Sequence, residues 1–341
     1  MFRGFNLSLT KDFFINREKS YTEYQTIGKN HLKDQCAAYQ KDLKSYVQKG
    51  KINGTKIQRE WFPPIEAHIF LSHSHNDKDL ACALAGWLYD TFDLKCFIDS
   101  TVWGYSNNLL RIMNDTLSHK RETPIEGVIY DYNSANQVSQ HVNTMLSIAL
   151  QKMIDQTEAA ILLNTSNSVT VHSEDTMNHT YSPWIYSELI CTEIVRKKPL
   201  IAYRDYDIAL NRGESALNES NSLIKNQIFY EISLAHLIKL SDRELNAWKE
   251  LYSSYFFDES YDFLTYPLDA LYYDVCPEEL KKAITLAAAL SPEEIDRLKA
   301  YYSGDIFGPQ NENHREWDHM GQEKSWIESM CQVLMESGEI R

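Results

Sequence analysis

The fold is decided by the stretch His68-Ile69-Phe70-Leu71-Ser72-His73-Ser74-His75-Asn76-Asp77-Lys78-Asp79. It begins as an apolar run after two prolines and ends as a polar turn, and apolar residues at helical spacing follow at once. This pattern predicts a buried strand over 67–72, a loop, and a helix over 78–92. Ligands of parallel α/β sheets bind where loops leave the carboxyl ends of the strands. We therefore expect a site within the loop from Ser72 to Asp77.

The same alternation of apolar runs and helical patterns continues along the chain. Further strands are predicted over 94–99, 158–164 and 199–203, and further helices over 109–117, 139–155 and 183–198. Strands that alternate with helices indicate a mostly parallel sheet covered on both faces. The sequence therefore predicts an α/β fold of the flavodoxin-like type, flanked by helices.

The segments on either side of this pattern are predicted to be additions. Residues 1–65 are interpreted as a helical N-terminal extension, 66–205 as the α/β domain, and 206–341 as a mainly helical C-terminal region. Within the α/β domain, the polar stretch at about 119–138 is interpreted as an insertion loop. Residues 229–240 fit either a strand or a helix, because apolar residues alternate there over only a few positions.

Composition excludes several classes of partner. The chain has 341 residues, a formal net charge of −14 and a pI near 5.3. Such an acidic surface is unsuited to duplex nucleic acid or to anionic membranes. No apolar run approaches the roughly 20 residues of a membrane-spanning helix, and no signal peptide is recognisable. The six cysteines are scattered without paired spacing, so we expect reduced thiols in a cytoplasmic protein.

Three segments together resemble a known family. They are Ile69–Ser74 with the carboxylates that follow, the strand at 94–99 with the loop that contains Trp103, and Ser182-Pro183-Trp184-Ile185-Tyr186-Ser187-Glu188-Leu189. In this order they resemble the opening strand, the BB loop and the Ser-x-Trp-x-x-x-Glu-Leu helix of TIR (Toll/interleukin-1 receptor) domains, particularly the bacterial members. The resemblance covers about residues 66–205. The insertion and the long flanks depart from a minimal TIR domain.

The resemblance implies an activity and a catalytic residue. Enzymatic TIR domains cleave NAD between nicotinamide and ribose, and the match implies that Glu188 is the catalytic carboxylate. A fixed carboxylate suits this reaction, because positive charge develops on the ribose in the transition state. Trp184 lies four residues before Glu188, so both occupy one helix face, and the indole could form a wall of the pocket. The alternative is that Trp184 anchors the helix and that Glu188 is solvated.

Other residues are candidates for contacts with the substrate. Ser72, His73 and Ser74 could bind ribose or phosphates, although serine also satisfies the backbone of ordinary turns. Asp99 could orient substrate groups or cap the end of a strand. Two aromatic side chains of the following loop could stack on a base, line a contact between subunits, or pack beneath the loop; they are Trp103 and Tyr105.

A metal site is the minor alternative. His73, His75 and Asp77 match most of the His-x-His-x-Asp-His signature of metallo-β-lactamase-fold hydrolases. Position 78 is lysine, so the last histidine of that signature is missing, and no later ligands stand out. We therefore expect no metal.

The resemblance implies an NAD-cleaving TIR protein of bacterial antiphage signalling. It would use NAD as substrate rather than as a resident cofactor and release ADP-ribose, a cyclic isomer or a conjugate for a downstream effector. The resemblance also implies a homo-oligomer formed through TIR–TIR contacts, with no nucleic acid or membrane as partner. The rival interpretation is a non-catalytic TIR scaffold that acts through the same contacts.

Overall fold

The computed structural model describes residues 1–35, 43–48, 51–102, 106–118, 120–123, 127–171, 178–203, 229–255 and 266–289. Within them the strands are β1 (Arg3–Ser8), β2 (Val47–Gln48), β3 (Lys51–Ile52), β4 (Ile69–Ser72), β5 (Cys96–Phe97), β6 (Lys120–Thr123), β7 (Gly127–Tyr130), β8 (Ala159–Asn164), β9 (Thr170–Val171), β10 (Asn178–Thr180), β11 (Tyr230–Ile232) and β12 (Ile238–Leu240).

The α-helices surround the strands. They are α1 (Tyr21–Gln35), α2 (Gly54–Trp61), α3 (Lys78–Phe92), α4 (Asp99–Val102), α5 (Ser106–Leu117), α6 (Tyr132–Gln156), α7 (Pro183–Ile194), α8 (Asp242–Tyr255), α9 (Pro267–Val275) and α10 (Pro277–Ala289). In the part of the chain that the structure describes, no helix has both the length and the apolar character that crossing a membrane requires.

A five-stranded parallel sheet forms the centre of the molecule, in the order β12-β1-β8-β4-β5. All four residues of β4 are buried, as are five of the six residues of β8. Strands that are apolar along their whole length suit a sheet covered on both faces by helices. The predicted α/β fold with a parallel sheet flanked by helices is therefore confirmed, and β4 with α3 is the strand–helix unit that the opening stretch predicted.

The N-terminal segment differs from the expectation of a helical extension. Its first strand, β1, lies inside the sheet and pairs with both β8 and β12. Phe5 and Leu7 of this strand are fully buried. The sequence pattern was too short and too mixed in polarity to predict a strand, because Arg3, Asn6 and Ser8 interrupt its apolar residues.

The predicted strand at 199–203 is wrong. Residues Leu200–Tyr203 form a 3₁₀ helix after Pro199. The place beside β8, where a further strand of this pattern would pair, is occupied by β1. A short apolar run therefore adopts helical turns, because no sheet edge is open to it at that position.

The expected insertion loop at 119–138 is also corrected. Its described residues form an antiparallel hairpin of β6 and β7, followed directly by the start of α6. Asp131 caps that helix, because its side chain accepts a hydrogen bond of 2.9 Å from the backbone N–H of Ser134.

The C-terminal region is not purely helical in the residues that the structure describes. Strand β12 joins the parallel sheet, and β11 pairs with β10 in a second, three-stranded sheet. Helix α9 packs on the same core, because Tyr272 is fully buried against Phe2 and its hydroxyl donates a 2.9 Å hydrogen bond to Glu158. The ambiguous stretch 229–240 therefore resolves into two short strands.

Candidate functional site

The predicted site lies where the chain leaves β4 and β8 in opposite directions along the sheet. The next sheet strand after β4 is β5, on one side, and the next after β8 is β12, on the far side of β1. Such a divergence opens a crevice at the carboxyl ends of the two strands, which is where open α/β sheets bind ligands. Ser72, the last residue of β4, lies at this point and is almost fully buried.

Helix α7 brings Glu188 to the end of β4. Ser182 caps the helix by accepting a 3.2 Å hydrogen bond from the N–H of Ile185, and Pro183 occupies its first turn. The buried residues of the helix recur at helical spacing, so Glu188 is on the face that packs on the sheet. This start of the helix was predicted from the sequence, and the inward position of Glu188 excludes the solvated alternative.

Ser72 and Glu188 form a direct contact. The hydroxyl of Ser72 donates a hydrogen bond of 2.5 Å to Oε2 of Glu188, across 116 residues of sequence. Glu188 retains only 4% of its accessible surface. The carboxyl group adjoins a cavity of about 10 Å³, which has apolar walls that include Phe70 and Leu237. A space of this size accommodates about one water molecule.

The surroundings of Glu188 favour its protonated form. Burial raises the pKa of this carboxyl group well above its usual value, and the negative charge of Asp99 raises the pKa further. The hydrogen bond from Ser72 opposes both effects, because it stabilises the carboxylate. Burial and the charge of Asp99 thus favour the uncharged acid over the carboxylate at this position.

His73 joins the same cluster from the first residue after β4. Its Nε2 is 3.0 Å from Oγ of Ser100, and its Nδ1 is 4.0 Å from Oδ1 of Asp99. Burial lowers the pKa of the imidazole, although the charge of Asp99 acts in the opposite direction. A neutral imidazole can donate at one nitrogen and accept at the other. Ser72 thus contacts Glu188, and His73 lies beside Asp99 and Ser100; the expected proximity of Glu188 to the loop after β4 is what the structure shows.

A second set of contacts ties the two loops of the crevice together. The carboxylate of Asp77 accepts hydrogen bonds from the Thr165 hydroxyl and, at 2.7 Å, from Nδ2 of Asn167. Sequence analysis missed Thr165 and Asn167 as partners. The available signal was their place directly after a continuous apolar strand, since parallel strands put such residues at the same edge of the sheet as Asp77.

The remaining predicted residues are less closely connected to this cluster. Ser74 is half-buried and precedes a 3₁₀ turn at His75–Asp77, without a capping hydrogen bond from its side chain. Trp184 is partly buried and packs against the main core, as its anchoring alternative expected. Trp103 and Tyr105 lie outside the described residues.

The described residues offer no support for the metal alternative. Among them, no group of three His, Cys, Asp or Glu side chains is placed to hold a metal ion. His73 faces Ser100 and Asp77 faces the loop after β8, whereas His75 is exposed. The three residues of the signature therefore point to different surroundings.

Comparison with known proteins does not extend the resemblance. A scan against protein-family models found no match, and neither the curated proteins nor the solved structures gave a significant match. Sequence motifs and the geometry around Glu188 are therefore the features that bear on function.

Proposed function

We propose that the protein cleaves NAD at the bond between nicotinamide and ribose, with Glu188 as the catalytic carboxylate. The observation that carries the proposal is the hydrogen bond between Ser72 and Glu188. It joins the first and third of the segments that resemble TIR domains, although they lie far apart in sequence. Glu188 and the end of β4 thus share one crevice, as the proposed chemistry requires.

The reaction needs little from the protein beyond position and charge. The bond from C1′ of the ribose to the nicotinamide nitrogen breaks, and its electron pair leaves with nicotinamide, which becomes neutral. Positive charge develops at C1′ and the ring oxygen, where the Glu188 carboxylate stabilises it. A nucleophile then adds to C1′. Water gives ADP-ribose and a proton, the adenine of the same molecule gives a cyclic isomer, and another acceptor gives a conjugate.

Substrate binding must change the cavity for this reaction to occur. A space of about 10 Å³ cannot hold a nicotinamide ring, so the apolar wall that includes Leu237 has to move. The nicotinamide ring of NAD carries a positive charge, and an opposite charge nearby favours the ionised carboxylate. Entry of the substrate would therefore lower the pKa of Glu188 and generate the catalytic form only when it is needed.

The neighbours of Glu188 have supporting roles in this proposal. The Ser72 hydroxyl fixes the carboxylate and, with the neutral His73, offers hydrogen bonds to ribose hydroxyls. Burial, and after it the charge of Asp99, raises the pKa of Glu188 and so favours its protonated form before the substrate enters. Trp103, Tyr105 and Ser74 remain candidates for contacts with the substrate, and Trp184 supports the helix that carries Glu188.

The biological setting follows from the same resemblance. We propose a cytoplasmic bacterial protein of antiphage defence, which assembles through TIR–TIR contacts and passes its nucleotide product to a downstream effector. NAD is its substrate and no resident cofactor is proposed.

Release of nicotinamide from NAD tests the proposal. We expect Glu188→Gln to reduce the rate by roughly 10²–10³, which is the scale for removing a preorganised charge stabiliser. Glu193→Gln is the matched control, since Glu193 is exposed on the same helix, and it should retain the wild-type rate. Equal turnover by wild-type protein and Glu188→Gln would show that the carboxylate has no catalytic role.

The closed cavity favours one rival, a TIR scaffold without catalysis. In that case Glu188 serves only to fix α7 to β4 through Ser72. The scaffold predicts self-association, measured by light scattering, with no nicotinamide release by the assembled protein. Turnover that appears on assembly and disappears in Glu188→Gln would exclude it.

A further inference from the structure

A second opening lies on the sheet beside the Glu188 cavity. It is a cleft of about 840 Å³ at the carboxyl ends of β1, β8 and β12, with walls from the segment 232–235 and the start of α8. We call it the asparagine cleft, after Asn6 and Asn164 in its floor. Its volume is within the range of small-molecule sites, roughly 300–1,000 Å³, and the proposed function assigns nothing to it.

Strand register places the cleft and Glu188 on the same face of the sheet. Ser72 is aligned with Leu162 on the next strand, Leu162 with Asn6, and Asn6 with Lys239. Aligned residues of parallel strands share a face, and strands are about 4.8 Å apart, so Asn6 lies roughly 10 Å from Ser72. The side chain of Leu162 lies between them, within an apolar cluster that includes Leu189 and Leu237. The two openings are therefore neighbours with an apolar partition.

Two amide side chains give the floor of the cleft its chemistry. Nδ2 of Asn164 donates a hydrogen bond of 2.9 Å to Oδ1 of Asn6, which is only 8% exposed. This contact uses one donor and one acceptor of the pair. Within the described part of the chain, neither Nδ2 of Asn6 nor Oδ1 of Asn164 has a hydrogen-bond partner. The pair thus retains both a donor group, Nδ2 of Asn6, and an acceptor, Oδ1 of Asn164, for a ligand.

The rest of the lining is apolar on one side and carries one positive and one negative side chain, Lys239 and Glu244, on the other. Ile232 and Leu234 supply the apolar wall. Lys239 is exposed beside Asn6 and forms no ion pair with the described residues. The acidic residue of the wall, Glu244, is engaged by Ser241, whose N–H and hydroxyl both donate to its Oε2 at 2.8 and 2.6 Å. Lys239 is therefore the lining residue that can pair with an anion, while Glu244 keeps its negative charge in the same lining.

We propose that the asparagine cleft binds an adenine nucleotide. The adenine ring presents a 6-amino donor next to a ring-nitrogen acceptor, which complements the donor and acceptor of the asparagine pair. The faces of the base rest against the apolar wall, and the phosphate reaches Lys239 at the rim. This site is distinct from the Glu188 cavity and does not depend on NAD cleavage.

Titration calorimetry of the full chain with AMP tests the proposal. We expect binding that weakens about fivefold or more in Asn164→Ala, since loss of one partner leaves a polar group of the base unpaired. Lys239→Ala should weaken AMP as well. Ribose 5-phosphate, which lacks the base, should bind more weakly and respond to Lys239→Ala but not to Asn164→Ala. Asn143→Ala, an exposed asparagine of α6, is the control.

Two further variants test whether AMP binds in the asparagine cleft rather than at Glu188. Ser8 is exposed at the end of β1 and lines the cleft beside Asn164, so Ser8→Phe should block part of the floor and weaken AMP binding about tenfold or more in a folded protein. Glu188→Gln should bind AMP like the wild type, whether or not NAD is cleaved. The proposal is overturned by absent AMP binding at millimolar concentration, by binding that survives Ser8→Phe and Asn164→Ala, or by binding lost only in Glu188→Gln.

Discussion

The Glu188 cavity and the asparagine cleft differ although they share one face of one sheet. The cavity contains an ionisable group in about 10 Å³ of space, whereas the cleft has about 840 Å³ and no catalytic group at its floor. In the cavity, helix α7 and the segment 232–237 cover the sheet with apolar side chains. In the cleft, the same face ends in amides and hydroxyls that remain accessible. The buried ionisable group and the larger space are thus separated by one row of apolar residues.

This separation has a physical cause in the cover of the sheet. Leu237 packs closely on Gly4 of β1, because a Cβ added there would lie 2.6 Å from Cδ2 of Leu237 and the leucine side chain would have to shift. The glycine lets the segment 232–237 approach the strand closely and close the space over Glu188. After Gly4 along β1, the residues on the same face are Asn6 and Ser8, and the segment 232–237 no longer covers the strand there. The boundary between the two openings therefore follows from the order of residues along β1.

Truncating Leu237, which covers the Glu188 cavity, should have the largest effect on stability. Leu237→Ala is expected to destabilise the fold by about 2–5 kcal/mol, since Leu237 is buried and leaves a cavity. Water admitted beside Glu188 should bring the pKa of its carboxyl group closer to the usual value. Urea unfolding measures the first effect and the pH dependence of nicotinamide release the second. Leu234→Ala changes the same segment at a half-buried position and should cost less. Equal losses would contradict the assignment of Leu237 as the cover.

Removing the hydrogen bonds of Asp77, which connect the loops after β4 and β8, should have the next largest effect on stability. Asp77→Ala removes the acceptor of both Thr165 and Asn167, so we expect a loss of about 1–3 kcal/mol in the free energy of unfolding. Asp79→Ala is the control, since Asp79 forms a surface ion pair with Lys29 and pairs of that kind contribute about 1 kcal/mol or less. A smaller loss for Asp77→Ala than for its control would show that the loops do not depend on this carboxylate.

Glu188 should also make stability depend on pH. Its pKa in the folded state is raised above the unfolded value near 4.5, so above that pH the folded state binds a proton that the unfolded state has released. Wild-type stability should therefore fall as pH rises, by up to about 1.4 kcal/mol per unit, until the folded carboxyl group also ionises. Unfolding of Glu188→Gln at a series of pH values should lack this fall. Glu193→Gln should follow the wild type, and parallel curves for all three proteins would contradict a raised pKa.

The strand–helix units around the site could be predicted because their signals are local. The apolar run of β4, the capping serine of α7 and the continuous apolar residues of β8 each predict an element without reference to the rest of the chain. The proximity of Ser72 and Glu188 could also be predicted from the sequence, since the order of the motifs placed both residues at one edge of the sheet.

The elements that the sequence did not reveal depend on distant partners. Strand β1 contains Asn6, which looks unsuited to a buried strand until Asn164, 158 residues away, is placed beside it. The apolar run at 199–203 is not a strand because β1 already occupies the neighbouring position, which no local pattern reports. The asparagine cleft was missed for the same reason, because its floor is formed by β1 and β8, which are far apart in sequence.

The smallest expected effect on stability comes from replacing one serine by alanine in each of the two regions. Ser100→Ala removes the hydrogen bond to Nε2 of His73 and should cost about 0.5–1.5 kcal/mol, the usual contribution of one such bond. Ser8→Ala should change stability by no more than about 0.5 kcal/mol, since Ser8 is exposed at the cleft. Urea unfolding compares the two, and nitrogen NMR of His73 should change only in Ser100→Ala. If Ser8→Ala were the more costly change, the cleft would be a packed region of the fold rather than an open one, and room for a nucleotide there would be lost.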